Sequence, residues 1–240
     1  AHAGQTRFRK PLLGFADAEH PDFLRLGRQL APGHLLPEDL LPGARTVISF
    51  FLPFAAEVVR ANRAATPCAR EWAVGYTEAN RLIARLSGEI QEALRARGHR
   101  AAWELPTHEF DRTTLRARWS HKSVARIAGL GEFGLHRMLI TPAGCAGRFG
   151  SVVTDAVLRA PRLWRGQACL HLAGGRCRIC VDRCPVGALS PSGFNRRRCH
   201  RHLEQVDAHW SAELGGVHDV CGKCATGPCS LAAPTAASGQ

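Results

Sequence analysis

No stretch of this 240-residue chain approaches the roughly 18 consecutive apolar residues that a membrane-spanning helix requires, so no such span is expected within it. Lysine is scarce. Lys10, Lys122 and Lys223 are the only three, and arginine supplies nearly all of the net charge of +12. That charge would suit a polyanion such as RNA, but the arginines form no long block; the densest run is Arg196-Arg197-Arg198. A solvated face accounts for most of them. A phosphate loop of the form G-x4-G-K-[ST] is absent, since the glycine-rich stretch 144–151 has no lysine. Residues 1–13 lack the apolar stretch of a secretory signal, and with thiols kept reduced this leads to an expected cytoplasmic location. No internal repeat is visible, and only the tail Ala232–Gln240 reads as flexible.

Cysteine is plentiful, and most of it is in one place. Eight of ten cysteines fall between 169 and 229: Cys169, Cys177, Cys180, Cys184, Cys199, Cys221, Cys224 and Cys229. Cys177-x2-Cys180-x3-Cys184-Pro185 is the later part of the ferredoxin pattern for cubane iron–sulfur clusters. Iron in such a cluster takes soft thiolates, and short spacings let several come from one tight loop. Eight cysteines are what two [4Fe–4S] clusters require. In two-cluster ferredoxins the cysteine before proline serves the other cluster, which predicts Cys169, Cys177, Cys180 and Cys229 around one cube. Cys184, Cys199, Cys221 and Cys224 would surround the second.

Two departures from the ideal spacing are visible. Gly174 stands where a first C-x2-C cysteine would be, and Cys221-x2-Cys224-x4-Cys229 is one residue longer than usual. Two alternatives stay open on spacing alone. Zinc could take Cys221 and Cys224 with Cys199 or His202. A disulfide framework is the other, although a chain this long, 45% hydrophobic, can build a core without staples. Cys68 and Cys145 lie outside the pattern and read as ordinary small residues of core or loop.

The cysteine density changes near residue 165, which divides the chain at 162/163 into an N-terminal domain and a metal domain. Residues 31–43 read as an irregular lead-in to a buried strand over 46–52, ended by Pro53. Apolar spacing from Thr77 to Gly98 predicts a long amphipathic helix with Gly98 as its cap. A strand over 101–105, a helix over 112–127 and short strands at 135–140 and 151–154 follow. The alternation implies an α/β or α+β sandwich, with a loop-rich second part carrying short helices.

The segment Ala128-Gly129-Leu130-Gly131-Glu132-Phe133-Gly134 fits G-x-G-x-x-G, but the basic, polar residues before it do not read as the strand a dinucleotide site needs. Together with MLIT, GCAGRFGSVVTD and C-x2-C-x3-C-P-V-G-A, in that order, it resembles epoxyqueuosine reductases and, more distantly, reductive dehalogenases. The match runs from about residue 40 to residue 230. The resemblance implies an α+β architecture: a nitroreductase-like α/β sandwich for residues 1–162, then a two-cluster ferredoxin-like domain for 163–240. It also implies cobalamin lying against Gly129, Gly131 and Gly134, with Arg148 as a candidate for a phosphate of the cofactor tail.

Two features of that family are missing. Its proposed proton-donating Asp has no counterpart, because Leu115-Arg116-Ala117-Arg118 and then Trp119-Ser120-His121-Lys122 stand there. The C-terminal helical extension is also absent, which makes tRNA the weaker expectation as substrate. His121 and Lys122 are instead the candidate reacting groups, a histidine being suited to proton transfer near neutral pH. Tyr76, the sole tyrosine, and Trp119 read as structural, and His200 and His202 as solvent-facing neighbours of Cys199. The resulting expectation is an iron–sulfur oxidoreductase fed by a low-potential donor (ferredoxin or flavodoxin) and reducing a small molecule or a corrinoid. A carrier without its own substrate and a zinc-stabilised RNA-binding module are the alternatives.

Overall fold

In chain order the elements are β1 (Leu12–Asp17), α1 (Pro21–Arg25), a π-helical turn (Leu26–Leu30), α2 (Pro37–Leu40), β2 (Thr46–Pro53), α3 (Ala56–Ala64) and α4 (Arg70–Arg95). Then come β3 (Ala101–Ala102), β4 (Phe110–Asp111), β5 (Arg116–Ala117), α5 (His121–Ile127), β6 (Glu132–Phe133), β7 (Leu139–Ile140) and β8 (Gly147–Thr154). The cysteine-rich part adds α6 (Ile179–Asp182), β9 (Leu189–Ser190), β10 (Gly193–Phe194), α7 (Arg196–Leu214) and a 3-10 turn (Lys223–Ala225). The structure, a computed structural model, describes residues 4–106, 110–159, 164 and 166–234.

An antiparallel sheet of order β1-β2-β8-β3 organises the N-terminal part. Its centre is β2, whose β-branched and aromatic run Thr46-Val-Ile-Ser-Phe-Phe-Leu is buried throughout, as a strand covered on both faces should be. Large residues on β2 demand small ones opposite. A Cβ at Gly147 would overlap the Leu52 carbonyl, and one at Gly150 the ring of Phe50. Helix α4 packs across β8 through Ala79 and Ile83, while α5 brings Val124 and Ala125 against the sheet. Each fully buried large aliphatic side chain contributes about 1.5–3 kcal/mol.

The long helix is present but begins at Arg70, seven residues before the expected start. Gly98 closes its end with φ +81°. The expected helix over 112–127 is corrected. Residues 110–117 form the hairpin β4–β5, and only 121–127 are helical. The Asp111 carboxylate accepts the amides of Thr113 and Thr114 at 2.8 and 2.6 Å, a local turn that competes with helix. The strand expected at 135–140 shrinks to β7, because Arg137 sits at φ +62° in a turn closed onto Gly134. Only 101–102 of the strand expected at 101–105 pairs, whereas β8 extends four residues before its expected start. The lead-in at 31–43 contains α2, started by Pro37.

The C-terminal part shares its core with the rest. One apolar cluster joins Phe54, Val58, Trp72 and Ala73 to Cys169, Cys180, Val206, Trp210 and Ala225. Backbone hydrogen bonds from Cys145 and Ala146 to the carbonyls of Cys229 and Ser230 lay the two segments edge to edge. Asn62 donates to the Cys221 carbonyl at 3.0 Å, and Arg9 to that of Leu231 at 2.7 Å. The buried Lys223 ammonium donates to the carbonyls of Asn62 and Ala65. At Gly222, φ is +68° and a Cβ would overlap the Trp72 indole. Among the described residues no helix is long and apolar enough to cross a membrane.

Candidate functional site

All ten cysteines are free thiols, and eight of them sort into two groups. Cys169, Cys177, Cys180 and Cys229 line one cavity together with His136, Leu170, Gly227, Pro228 and Pro234. Burial, then the nearby charges of Cys229, Cys169 and Cys177, push the Cys180 thiol up to about 11. The second group is Cys184, Cys199, Cys221 and Cys224. Cys199 is pushed up to about 11 by burial and by Cys221 and Cys184. Burial, Cys221 and Cys199 raise Cys224 further still, with Cys180 a weaker neighbour across from the first group.

A tight turn builds each group. Cys180 lies in the single turn α6, Cys184 follows it, and Cys199 sits in the first turn of α7, which Asn195 caps by accepting the Arg198 amide at 2.9 Å. Backbone amides already point at sulfur: Leu135 N–H donates to Cys169 Sγ at 3.4 Å and Ala188 N–H to Cys184 Sγ at 3.1 Å. Burial and neighbouring thiols raise the pKa of Cys180, Cys199, Cys221 and Cys224, whereas the bonds that Cys145 and His136 give to Cys229 lower its own to about 5. A multivalent iron core relieves both burial and mutual repulsion, so the donor sets fit the cofactor. By contrast, no described contact joins His202 to a thiol. It is buried rather than solvent-facing, and its Nε2 has no hydrogen-bond partner.

His121 and Lys122 open α5, where Ser120 caps the helix by accepting the Ser123 amide. Ser151 on β8 meets His121. Its hydroxyl accepts Trp119 Nε1–H at 2.9 Å and shares a hydrogen bond with His121 Nδ1 at 2.8 Å. The imidazole is neutral near pH 7. Burial, followed by the Arg148 charge, lowers its pKa to about 4. The buried Nε2 has no hydrogen-bond partner among the described residues, and the Glu104 carbonyl acts on the ring only as a weaker, opposing influence.

Lys122 reaches Met138 Sδ at 3.8 Å. Burial and then Arg148 lower its pKa, while Cys224 and Cys199 of the second group favour its charge. Of the two sequence-predicted reacting residues, Lys122 therefore borders one of the cysteine groups. Arg148 spends its guanidinium on Asn80 Oδ1 at 2.9 and 3.1 Å and lies 4.5 Å over the Tyr76 ring. Tyr76 in turn donates to Asp219 at 2.5 Å.

The glycines of the 129–134 segment make close contacts within the chain. A Cβ on Gly131 would overlap the Ile140 carbonyl, and one on Gly134 would come within 2.8 Å of the His136 ring. Both absences of side chain serve contacts within the chain, and Gly129 needs its freedom for φ +74°. Arg148, the other residue expected at a corrinoid, is engaged by Asn80 and Tyr76. Two residues escaped sequence reasoning: His136 and Cys145 both lie against Cys229, and the Nε2 and two Sγ atoms are all within 4.8 Å of one another. Their only signal was position, one just past the glycine motif and the other inside GCAG.

Outside the buried site, Arg112, Thr113, Leu115, Arg197, His200 and Arg201 line a surface cavity of about 230 Å³. Arg196 lies nearby, its pKa lowered by burial and then by Arg116 and Arg137.

These features define a mixed α/β protein with two cysteine groups, one of them beside Lys122. No protein-family model matches the chain. It is similar to the epoxyqueuosine reductase of Bacillus cereus (strain ATCC 14579), at 26% identity over 202 residues, which is 79% of this chain and 49% of that protein. The epoxyqueuosine reductase of Bacillus subtilis (strain 168) is 24% identical over 204 residues, or 79% and 48%. The chain therefore spans about half the length of the curated relatives it matches.

In fold it aligns with an epoxyqueuosine reductase bound to an epoxyqueuosine-modified tRNA-Tyr stem loop, with TM-score 0.59 and 19% identity over 91% of this chain and 61% of that one. A catabolic reductive dehalogenase aligns with TM-score 0.53 and 18% identity, over 75% and 23%. In sequence and in fold the chain is thus similar to epoxyqueuosine reductases.

Proposed function

We propose that this protein is an iron–sulfur reductase of the epoxyqueuosine reductase-like kind, a nitroreductase-like α/β part (1–162) joined to a two-cluster ferredoxin-like part (163–240). Cys169, Cys177, Cys180 and Cys229 would hold one [4Fe–4S] cluster, and Cys184, Cys199, Cys221 and Cys224 the other. When bound, the clusters supply one-electron transfer from a low-potential donor such as ferredoxin or flavodoxin. The observation that carries this reading is the sorting of eight thiols into two groups of four, the second beside Lys122.

Within the α/β part, Lys122 is the group placed to give a proton to an acceptor as it is reduced. His121, held neutral, positions the start of α5 through Ser151 rather than acting as an imidazolium acid. Met138 and the buried neighbours of Lys122 exclude water from that ammonium. The acceptor is a small molecule that presents a proton-accepting atom to Lys122. Anaerobically prepared protein tests the reading by iron, sulfide, zinc and cobalt analysis. About eight iron and eight sulfide per chain are expected, with a brown colour that bleaches on reduction. A colourless protein with stoichiometric zinc would end it.

A second reading, in which the acceptor is carried on RNA, draws support from the arginine-lined cavity and from the tRNA-bound neighbour. Its test is binding of an RNA stem loop across a salt series. Arg197→Ala should flatten the salt dependence by about one charge. Binding that ignores salt would sink it.

A further inference from the structure

Cys229 receives two side-chain neighbours that no other cysteine of either group has among the described contacts. His136 Nε2 lies 3.1 Å from its Sγ, and the Cys145 Sγ lies 3.8 Å away. Both neighbours are buried, His136 at 4% exposure and Cys145 at 0%.

The tautomer of His136 follows from its other nitrogen. The Met138 amide donates to Nδ1 at 3.0 Å, so Nδ1 must offer a lone pair and the ring proton sits on Nε2, aimed at sulfur. The ring is pinned there by Gly134, where a Cβ would come within 2.8 Å of Cε1. Cys145 is held just as firmly. Its amide donates to the Cys229 carbonyl at 2.9 Å and the next amide to Ser230, so the two segments cannot slide apart without breaking paired backbone. A Cβ at Gly144 would overlap the Ser230 carbonyl, which keeps that approach close.

We propose that His136 and Cys145 are positioning residues that donate hydrogen bonds to the Cys229 thiolate and thereby raise the reduction potential of the cluster held by Cys169, Cys177, Cys180 and Cys229. The proposal rests on the cluster reading above. A hydrogen bond to a ligating sulfur withdraws electron density, and the reduced, more negative cluster gains more from it than the oxidised one. The effect is local. In the second group the donors to sulfur are the Ala188 amide on Cys184 and the Lys223 amide on Cys221, so removing His136 or Cys145 leaves that group's donors untouched.

The test is a redox titration of the anaerobic holoprotein followed by paramagnetic resonance, for wild type, His136→Phe, His136→Gln and Cys145→Ala. Phenylalanine fills the ring site without a donor, glutamine keeps an N–H, and alanine removes the thiol without adding volume. His136→Phe and Cys145→Ala should each move the same single cluster to a more negative potential, with iron content unchanged and the other cluster unmoved. His136→Gln should shift it less than His136→Phe. Unmoved potentials in an iron-replete protein overturn the proposal while sparing the cluster reading. So do equal shifts in both clusters, or iron loss in either single variant, which would make these residues ligands or structural props. A wild type without iron overturns the cluster reading itself, and this proposal with it.

Discussion

Acid should destabilise the protein through His121, and the size of the effect can be worked out. The unfolded imidazole titrates near its ordinary value of about 6.5. In the folded chain burial and Arg148 hold it down to about 4. Between those values the unfolded chain takes up a proton that the folded chain refuses. Stability is therefore complete above about pH 6.5 and is lost as the pH falls toward 4. A gap of about two and a half units, at about 1.4 kcal/mol each, amounts to about 3 kcal/mol. That is a large share of the 5–15 kcal/mol that holds a typical domain together. The assay is urea unfolding of wild type and His121→Asn at a series of pH values from 7.5 to 4.5. Both proteins carry the same thiol groups, so acid effects on those cancel in the difference. Near pH 7.5 the variant should be the less stable, having lost its bond to Ser151, and the gap should close or reverse toward pH 4.5. Parallel stability curves would refute the reasoning and return an ordinary, protonatable histidine to the site.

Cys180→Ser should strip iron from one group, because an alkoxide matches iron less well than a thiolate, whereas Cys68→Ser should leave the iron content unaltered; equal losses would contradict the ligand assignment. Cys184→Ser and Cys221→Ser should damage the same cluster, as paramagnetic spectra of the reduced variants would show, and damage to different clusters would break the second group apart. Gly131→Ala should lower stability by about 2–3 kcal/mol in denaturant unfolding, since its methyl group meets the Ile140 carbonyl; an unchanged midpoint would mean the loop has room to move.

Much of the fold was legible because it rests on local pattern. The run Thr46–Leu52 is a buried strand for the reason its composition suggests, and the apolar spacing along α4 is helical as read. The failures fall where a side chain or a distant partner overrides the local pattern. Residues 112–117 carry helix-compatible residues, yet one carboxylate, Asp111, captures two successive amides and turns the chain into a hairpin. Strand β1 went unread because Leu12–Asp17 has no decisive alternation; it exists because β2 offers it a full edge of hydrogen bonds. In the glycine motif, Gly131 and Gly134 also answer to the Ile140 carbonyl and the His136 ring, contacts that no spacing rule encodes.

The candidate site divides along the same line. Cysteine spacing is a property of short loops, so two groups of four could be proposed from the numbers alone, and Cys169, Cys177, Cys180 and Cys229 do line one cavity. What surrounds the sulfurs could not be read that way. His136 and Cys145 come from the α/β part, 93 and 84 residues before Cys229, and reach it only because Gly144 and Gly222 let the two parts share one core. A boundary drawn at the change in cysteine density therefore separates ligands from the groups that act on them. The chemistry of each thiol group depends on residues from both sides of that boundary: Lys122 beside Cys224 and Cys199, and His136 with Cys145 beside Cys229. On the proposed cluster reading, substitutions in the loops of the α/β part should alter the clusters as surely as substitutions among the cysteines.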